Sequence, residues 1–538
     1  MTMRTFPELS RRRFLLGASS LALFAGLAPA RGVRAAPPLD GYPFTLGVAA
    51  GDPWPDGFVI WTRLAPRPLH EHGGMPMVAV PVKWQVAEDA HFARVVRSGE
   101  YLARPELGHS VHVEVAGLQP ARPYWYRFMI DGGDASATGS ARTAPRAGDT
   151  PQRLRIAVAG CQAYFHGWFD AYRHLGEEPE LDALFHYGDY IYEGSEAASR
   201  KAGYAIRDAA GNPVERLHHG DELYTLDDYR RRYAQYKSDT DLQAAHAAVA
   251  FICSFDDHEV DNDWNGPWDQ DRTPPELFAL RRLHAMQAWY ENSPVRRAQL
   301  PRADGGTAYF RRLDYGNLLR MHVLDTRSHR SNQICPNPRS LAKCRFEQGQ
   351  DSSILGAEQE AWLHAGLGGG SRWNLIAQQV WVMPLQGRDP DGRLHGAYED
   401  KWDGFPDSRR RLLQGIHDRK LGNVVIATGD AHMNAVAEVP LRDDERDGPA
   451  VATEFLATSI SSNGDGAVDS PSVRRFGQAD NPFLKLIDNL RGYHVHEISA
   501  TQWRTDIRVM DQVQRKGGRI STRASFIVEP HVPRLHRA

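Results

Sequence analysis

The feature that most constrains the fold of this chain is a change of rhythm near residue 150. Before it, residues 43–146 break into seven short alternating segments, "FTLGVAAGD", "GFVIWTRLA", "VPVKWQVAED", "ARVVRSGEY", "HSVHVEVAGL", "YWYRFMIDG" and "ASATGSARTA", parted by Gly, Pro and Asp turns. After it, apolar runs such as "RLRIAVAG", "ALFHYGD", "VAFICSF", "LLRMHVLD", "WNLIAQQVWVMPL", "NVVIATGD" and "TEFLATSIS" read as strands. They alternate with stretches of helical spacing, "YTLDDYRRRYAQYKSDTDLQAAHAAV" and "TPPELFALRRLHAMQAWYENS". At 538 residues the chain is too long for one ordinary core. The expectation is a small all-β domain over 43–146 and a layered α/β or α+β domain over 152–530.

Seven short strands divided by turns are the pattern of a β-sandwich of fibronectin or immunoglobulin type. Leu118, Pro120, Tyr124 and Tyr126 have the spacing of a tyrosine corner, in which a phenol bonds back to the loop before it. In the larger domain Thr273, Pro274 and Glu276 predict a helix start, with Pro274 at the first position and Thr273 and Glu276 as a capping box. Two long loops, 193–222 and 328–353, are expected to act as lids or rims.

The N-terminus carries a processing signal. Arg11, Arg12 and Arg13 precede Phe14 and an apolar run from Leu15 to Leu27, too short for a spanning helix, and Val33-Arg34-Ala35 is a small-residue cleavage site. This predicts a twin-arginine signal peptide over 1–35, export by the twin-arginine machinery to the periplasm or outside the cell, and no stable membrane span. Those residues hold six Arg and one Glu, so their removal takes the formal charge from −3 to −8. An acidic chain offers no electrostatic case for nucleic-acid binding. Of four cysteines, Cys335 and Cys344 are near enough to close a small disulfide in an oxidising compartment, and Cys253 reads as a buried hydrophobe. Cys161 follows a strand with no evident partner, leaving a metal or catalytic role to compete with simple burial.

Four strands of the larger domain end in possible metal ligands: Gly160-Cys161, Gly188-Asp189 with Tyr192, the run from Asp256 to Asn262, and Gly429-Asp430 with His432. Strand C-termini on one sheet edge open onto one crevice, so ligands far apart in sequence can converge. A Gly before each of Cys161, Asp189 and Asp430 lets the backbone turn and aim the next side chain. Several carboxylates, a thiol and a phenol in one pocket repel one another or stay protonated unless cations neutralise them. Arg327, in "LDTRSHR", follows another strand; its planar fork suits phosphate oxygens, with a salt bridge to Asp325 or a neighbour as the alternative.

Taken together, "GDYIY", "FDDHEVDND" and "TGDAH", behind the export signal and the small β-domain, resemble the PhoD family of exported alkaline phosphatases, within the wider calcineurin-like metallophosphoesterase fold. Cys161 in place of an Asp and Tyr192 in place of another are PhoD-like departures from that fold. The resemblance implies a metallophosphoesterase-like layered β-sandwich with flanking helices. It also implies a ferric ion (Fe3+) bound through Cys161, Asp189 and Tyr192, with Asp189 bridging to calcium (Ca2+). Asp430 and His432, and then Asp257 and Asn262, are the further ligands expected. His258 stands at the position of the fold's catalytic His, a group to protonate the leaving alcohol or bond the phosphate. Tyr190 and Glu193 are expected to support the ligands.

The implied reaction is hydrolysis of phosphate mono- or diesters by a metal-activated hydroxide, with Arg327 and the cations neutralising the phosphoryl oxygens. Relatives with phospholipase activity share the core, so a phospholipase D-type phosphodiesterase is the nearest alternative. A periplasmic binding module with structural metals is a rival from another class and predicts closed coordination without a crevice. An exported redox enzyme is a further one, against which stands the lack of any flavin, molybdopterin, haem or iron–sulfur fingerprint.

Overall fold

The computed structural model describes residues 39–131, 133–301, 309–331, 352–368, 370–388, 391–392, 398 and 400–538. The signal segment 1–35, Cys335 and Cys344, and most of the loop 328–353 lie outside them.

Two large sheets face each other. One has ten strands, in the order Val532–Arg537, Ile520–Glu529, Trp503–Met510, Gly492–Ile498, Leu154–Ala159, Ala183–His186, Ala250–Cys253, Val48–Trp54, Gly57–Arg63 and Ser110–Val115. The other has seven: Arg311–Tyr315, Leu319–Val323, Trp373–Ala377, Val424–Thr428, Ala450–Leu456, Asn434–Pro440 and Leu484–Asp488. Period-2 alternation splits each strand between two layers. Ile156, Val158, Phe185 and Ile252 turn inward against Met321, Leu375, Val425 and Phe455 of the opposite sheet. Ala157, Ala159, Leu184 and Phe251 turn outward, onto Tyr172, Tyr229, Tyr233 and Trp289 of covering helices. The outer face of the seven-stranded sheet is covered in the same way by Leu363, Leu412 and Ile416. The result is helix, sheet, sheet, helix.

The seven N-terminal segments each carry a strand and pack as two layers, one of which is continuous with the ten-stranded sheet. Val80–Ala87, Val95–Ala103, Pro123–Met129 and Gly139–Arg142 form a four-stranded sheet, whereas the other three extend the ten-stranded sheet through parallel pairing of Ala50 with Ala250 and Gly51 with Phe251. The central strand Ala250–Cys253 has a free edge that must be hydrogen-bonded or covered, and Val48–Trp54 supplies that partner. The change of rhythm near residue 150 therefore marks no break in the sheet. Val82, Val86, Tyr126 and Phe128 pack on Val48, Phe58 and Ile60 between the two layers. The corner is present: the Tyr124 hydroxyl accepts from the Gln119 N–H at 2.9 Å.

Two local expectations shift. The helix begins at Pro275, with Pro274 as its cap and no side-chain capping bond; Thr273 instead donates its N–H to Asp269 Oδ1 at 2.8 Å. The long segment from Tyr224 divides into Leu226–Lys237 and Thr240–Ala248, because Asp239 accepts from Asp241 N–H and Leu242 N–H and so starts a second helix. Among the described residues no helix is long and apolar enough to cross a membrane.

Candidate metal centre and cleft

Strands Leu154–Ala159, Ala183–His186 and Ala250–Cys253 run parallel, as do Leu319–Val323, Trp373–Ala377, Val424–Thr428 and Ala450–Leu456. Their C-terminal ends bring Cys161, Asp189, Asp257, Asp430 and His432 into mutually overlapping groups, each with ligand atoms within 4.8 Å of one another. Cys161, Asp189, Asp430 and His432 all have left-handed backbones, at φ 51°, 54°, 68° and 55°. Non-glycine residues in that region cost of order 1 kcal/mol or more, and four at one site mark it as functional. The glycines before them serve two different ends. Gly188 is at φ 132°, where a side chain is strained, but Gly160 and Gly429 are excluded volume: the Tyr187 ring lies against both, and any Cβ would collide with it.

Asp189 is the centre of the first group. Its Oδ2 lies 3.2 Å from Cys161 Sγ, 2.9 Å from the Tyr192 hydroxyl and 3.9 Å from His432 Nε2. The Tyr192 hydroxyl is also 3.2 Å from His432 Nε2 and 2.6 Å from Ser462 Oγ. Asp189 is 1% exposed, and its Oδ1 has no hydrogen-bond partner. Burial, then Asp189, Asp430 and Asp256, push the Cys161 thiol well up; burial, then Asp189 and Cys161, do the same to the Tyr192 phenol. Thiol, phenol, imidazole and an orphaned carboxylate oxygen on one point form a donor set that a metal ion satisfies. Ser462 carried no motif and was invisible in the sequence.

Beside it lies a charged floor, and here one expectation is corrected. Arg327 does not face the cleft. It is fully buried, with Nε 2.5 Å from Asp256 Oδ1 and its two terminal nitrogens 2.6 and 2.9 Å from the Asp400 carboxylate. Three of its N–H groups go to these carboxylates and Nη2 also lies 3.5 Å from Asp257 and 3.7 Å from Asp430, so Arg327 is a structural hub closed off from the cleft; Asp325 accepts only its backbone N–H. A cation that does line the cleft is Lys401, ion-paired with Asp430 and 3.1 Å from Asp400 Oδ2. Asn262 lines the cleft, its amide N–H donating to Gln270 Oε1 and its backbone N–H to Glu193 Oε1, which leaves the amide oxygen as the atom that could reach an ion. Its neighbour Asp263 is the residue that groups with Asp257 and Asp400. Burial raises Asp263 to about 7, with Asp400 and Asp257 adding to it. Asp257 is held below the ordinary carboxylate range; burial opposes this, and Arg327 and His258 outweigh it.

His258 donates from Nδ1 to Glu193 Oε2 at 2.7 Å and lies 4.1 Å, ring to ring, from Tyr192. Burial works against its charge, but Glu193, Asp189 and Asp257 raise its pKa well above the usual value. Glu259 belongs to the same run. It is fully buried and accepts the backbone N–H groups of Asp189, Tyr190 and Asp256, clamping two ligand loops together. Tyr190 is packing, its hydroxyl 2.8 Å from His246 Nε2.

Above this floor opens a cleft of ≈ 310 Å³. Its rims differ from expectation: among the described residues they come from Trp381, Tyr398 and Lys401 and from Asn463 through Asn489, while the loop 193–222 contributes no lining residue. That loop touches the site at its first residue, Glu193, which bonds His258 and Asn262, and packs Tyr204 with its ring tilted 4.0 Å from that of His166.

Donors gathered under an open cleft define a protein that holds metal ions within reach of a small molecule, rather than one that seals them away. Comparison with known proteins narrows this. Residues 156–507 match the model described as PhoD-like phosphatase, and 28–145 match its N-terminal domain. Alkaline phosphatase D of Bacillus subtilis (strain 168) is 40% identical over 530 residues, covering 96% of this chain and 87% of the relative. A solved structure described as that of PhoD superposes with a TM-score of 0.84 at 39% identity, over 94% of this chain and 93% of that one. The chain belongs to the PhoD-like phosphatase family.

Proposed function

We propose that this chain is an exported phosphoric ester hydrolase acting on phosphate mono- or diesters. The observation that carries the reading is the convergence of Cys161, Tyr192 and His432 on Asp189, whose second oxygen is buried without a partner. Thiolate and phenolate are polarisable anions suited to Fe3+, which Cys161, Asp189 and Tyr192 would hold with His432 near them. The oxygen donors about Asp257, which groups with Asp189, with Asp430 and separately with Asp263, would suit a hard divalent ion such as Ca2+. The ions would supply positive charge that readies water and offsets charge on the phosphoryl oxygens.

The chain's own residues do the rest. Glu193 fixes His258 through Nδ1, so that Nε2 is the nitrogen left to give a proton to the departing alcohol. Glu259 and the Arg327 hub hold Asp189, Asp256 and Asp400 in register. Lys401 adds a fixed positive charge on the wall. The twin-arginine signal over 1–35 supports delivery of a folded, metal-loaded chain to the periplasm or beyond.

The test is Asp189→Ala in the exported protein, with elemental analysis and an absorption spectrum beside the assay. We expect iron content and the visible phenolate band to fall together, and kcat/KM to drop about 10³-fold, near 4 kcal/mol. A folded variant with full activity would overturn the reading.

A further inference from the structure

The cleft has a second end that the metal ligands do not explain. Trp381, Tyr398 and Phe476 line it, with ring centroids 5.2 Å apart for Trp381 and Tyr398 and 5.8 Å for Tyr398 and Phe476. They come from two segments tied together by Asn481, which accepts from the Gln386 N–H and donates to its carbonyl, each at 2.8 Å. The wall is therefore braced before any ligand arrives. Beside it stands Arg475, half-buried, its guanidinium 5.8 Å from the Phe476 ring. Other arginines around the site are committed: Arg327 and Arg330 to Asp400, and Arg491 to Ser459 Oγ and backbone carbonyls. Arg475 lines the cleft, yet among the described residues its side chain has no hydrogen-bond or ion-pair partner.

An uncommitted planar cation facing acid-rich metal ligands across about 310 Å³ is placed for an anionic oxygen, and a fixed aromatic wall next to it is placed for a flat group. We propose that this end of the cleft is the subsite for the alcohol half of the ester: Arg475 bonds an anionic oxygen of the substrate, and Trp381, Tyr398 and Phe476 receive a planar, π-rich alcohol. The substrate class is then phosphate esters of nucleoside-like or aryl alcohols. This rests on the hydrolase reading above and adds its specificity.

Adenosine 5′-monophosphate and ribose 5-phosphate test it, because both release a primary alcohol of a ribose and differ in the base. The wild type should favour the nucleotide by about tenfold or more in kcat/KM. Phe476→Leu, and Tyr398→Leu as a second variant less deeply packed, should pull that ratio toward one. Arg475→Gln should raise KM for both substrates and weaken inhibition by inorganic phosphate about tenfold, with Arg475→Lys recovering part of it. Calorimetric binding of the two compounds to the metal-loaded protein repeats the comparison without turnover. Equal kcat/KM and equal affinity for both, or phosphate inhibition unmoved in Arg475→Gln, would overturn the subsite while leaving the hydrolase intact. Failure of the wild type to hydrolyse either of them or bis(4-nitrophenyl) phosphate, a diester, would sink the hydrolase reading, and the calorimetric comparison would still decide the subsite.

Discussion

Two buried regions of the molecule handle positive charge in opposite ways. On the cleft floor Arg327, Arg330 and Lys401 are set among Asp256, Asp257, Asp400 and Asp430. Where the N-terminal strands join the sheet, Lys237 is equally buried but has no ion-pair partner among the described residues. Its ammonium lies 4.1 Å from the Trp61 ring, 5.0 Å from the Tyr190 ring and 3.5 Å from His246 Nε2. Burial pulls its pKa down from 10.5 to about 7, so this site tolerates the group largely by letting it give up its proton. The fold thus buries Lys237 among rings by favouring its neutral form. The floor instead keeps its cations charged by setting Asp256, Asp257, Asp400 and Asp430 among them.

The largest effect should come from breaking the floor. Arg327→Met leaves Asp256 and Asp400 buried and short of a counter-charge, and removing one partner of such a network costs about 3–5 kcal/mol. Urea unfolding at neutral pH should show that loss; a variant as stable as the wild type would mean the floor is held by something other than Arg327. Lys237→Met should act in the reverse direction. The unfolded lysine titrates near 10.5 and the folded one near 7, so between those values the unfolded state binds more protons and stability rises with pH. Wild-type stability should therefore fall as pH drops from about 10.5 to about 7 and fall no further from this group below that. Lys237→Met removes the slope. After the lost ring contacts, the variant should be more stable by about 2 kcal/mol near pH 6.5, with the gain shrinking toward pH 10. A constant difference across that range would show that Lys237 keeps its charge.

The contrast also shows what sequence can disclose. The ligands Cys161, Asp189, Asp430 and His432 were legible because a Gly and a polar donor directly after an apolar run break a strand pattern in a way burial does not require. Even there the reason was half right, since Gly160 and Gly429 make room for Tyr187, a neighbour only the fold supplies. Arg327 was misjudged because a sequence shows the donors of a guanidinium and not which carboxylates reach them first. Asp400 and Lys401 sit in "AYEDKWDGF" and Ser462 in "SISSNG", segments with no periodicity and no motif, and their place depends on how loops after separate strands pack. The seven N-terminal strands were readable from turns and alternation. That three of them would complete the neighbouring sheet follows from the open edge of Ala250–Cys253, which no local pattern announces.

The smallest expected effect sharpens the comparison most. Tyr190→Phe keeps the ring that faces Lys237 and removes only the hydroxyl that lies 2.8 Å from His246 Nε2. Burial and then Lys237 push the His246 pKa well down; in the neutral tautomer with Nε2 as acceptor, loss of the phenol leaves the Lys237 amine at 3.5 Å as its donor. The single change should cost about 1 kcal/mol in urea unfolding at neutral pH. In the Lys237→Met background the same change strips His246 Nε2 of both donors and should cost more, so the two substitutions should not add. Coupling of about 0.5 kcal/mol or more would show that the lysine and the phenol share one acceptor. Additivity within about 0.3 kcal/mol would instead make the aromatic cage passive packing, and the contrast between a paired and an unpaired buried cation would then rest on Arg327 alone.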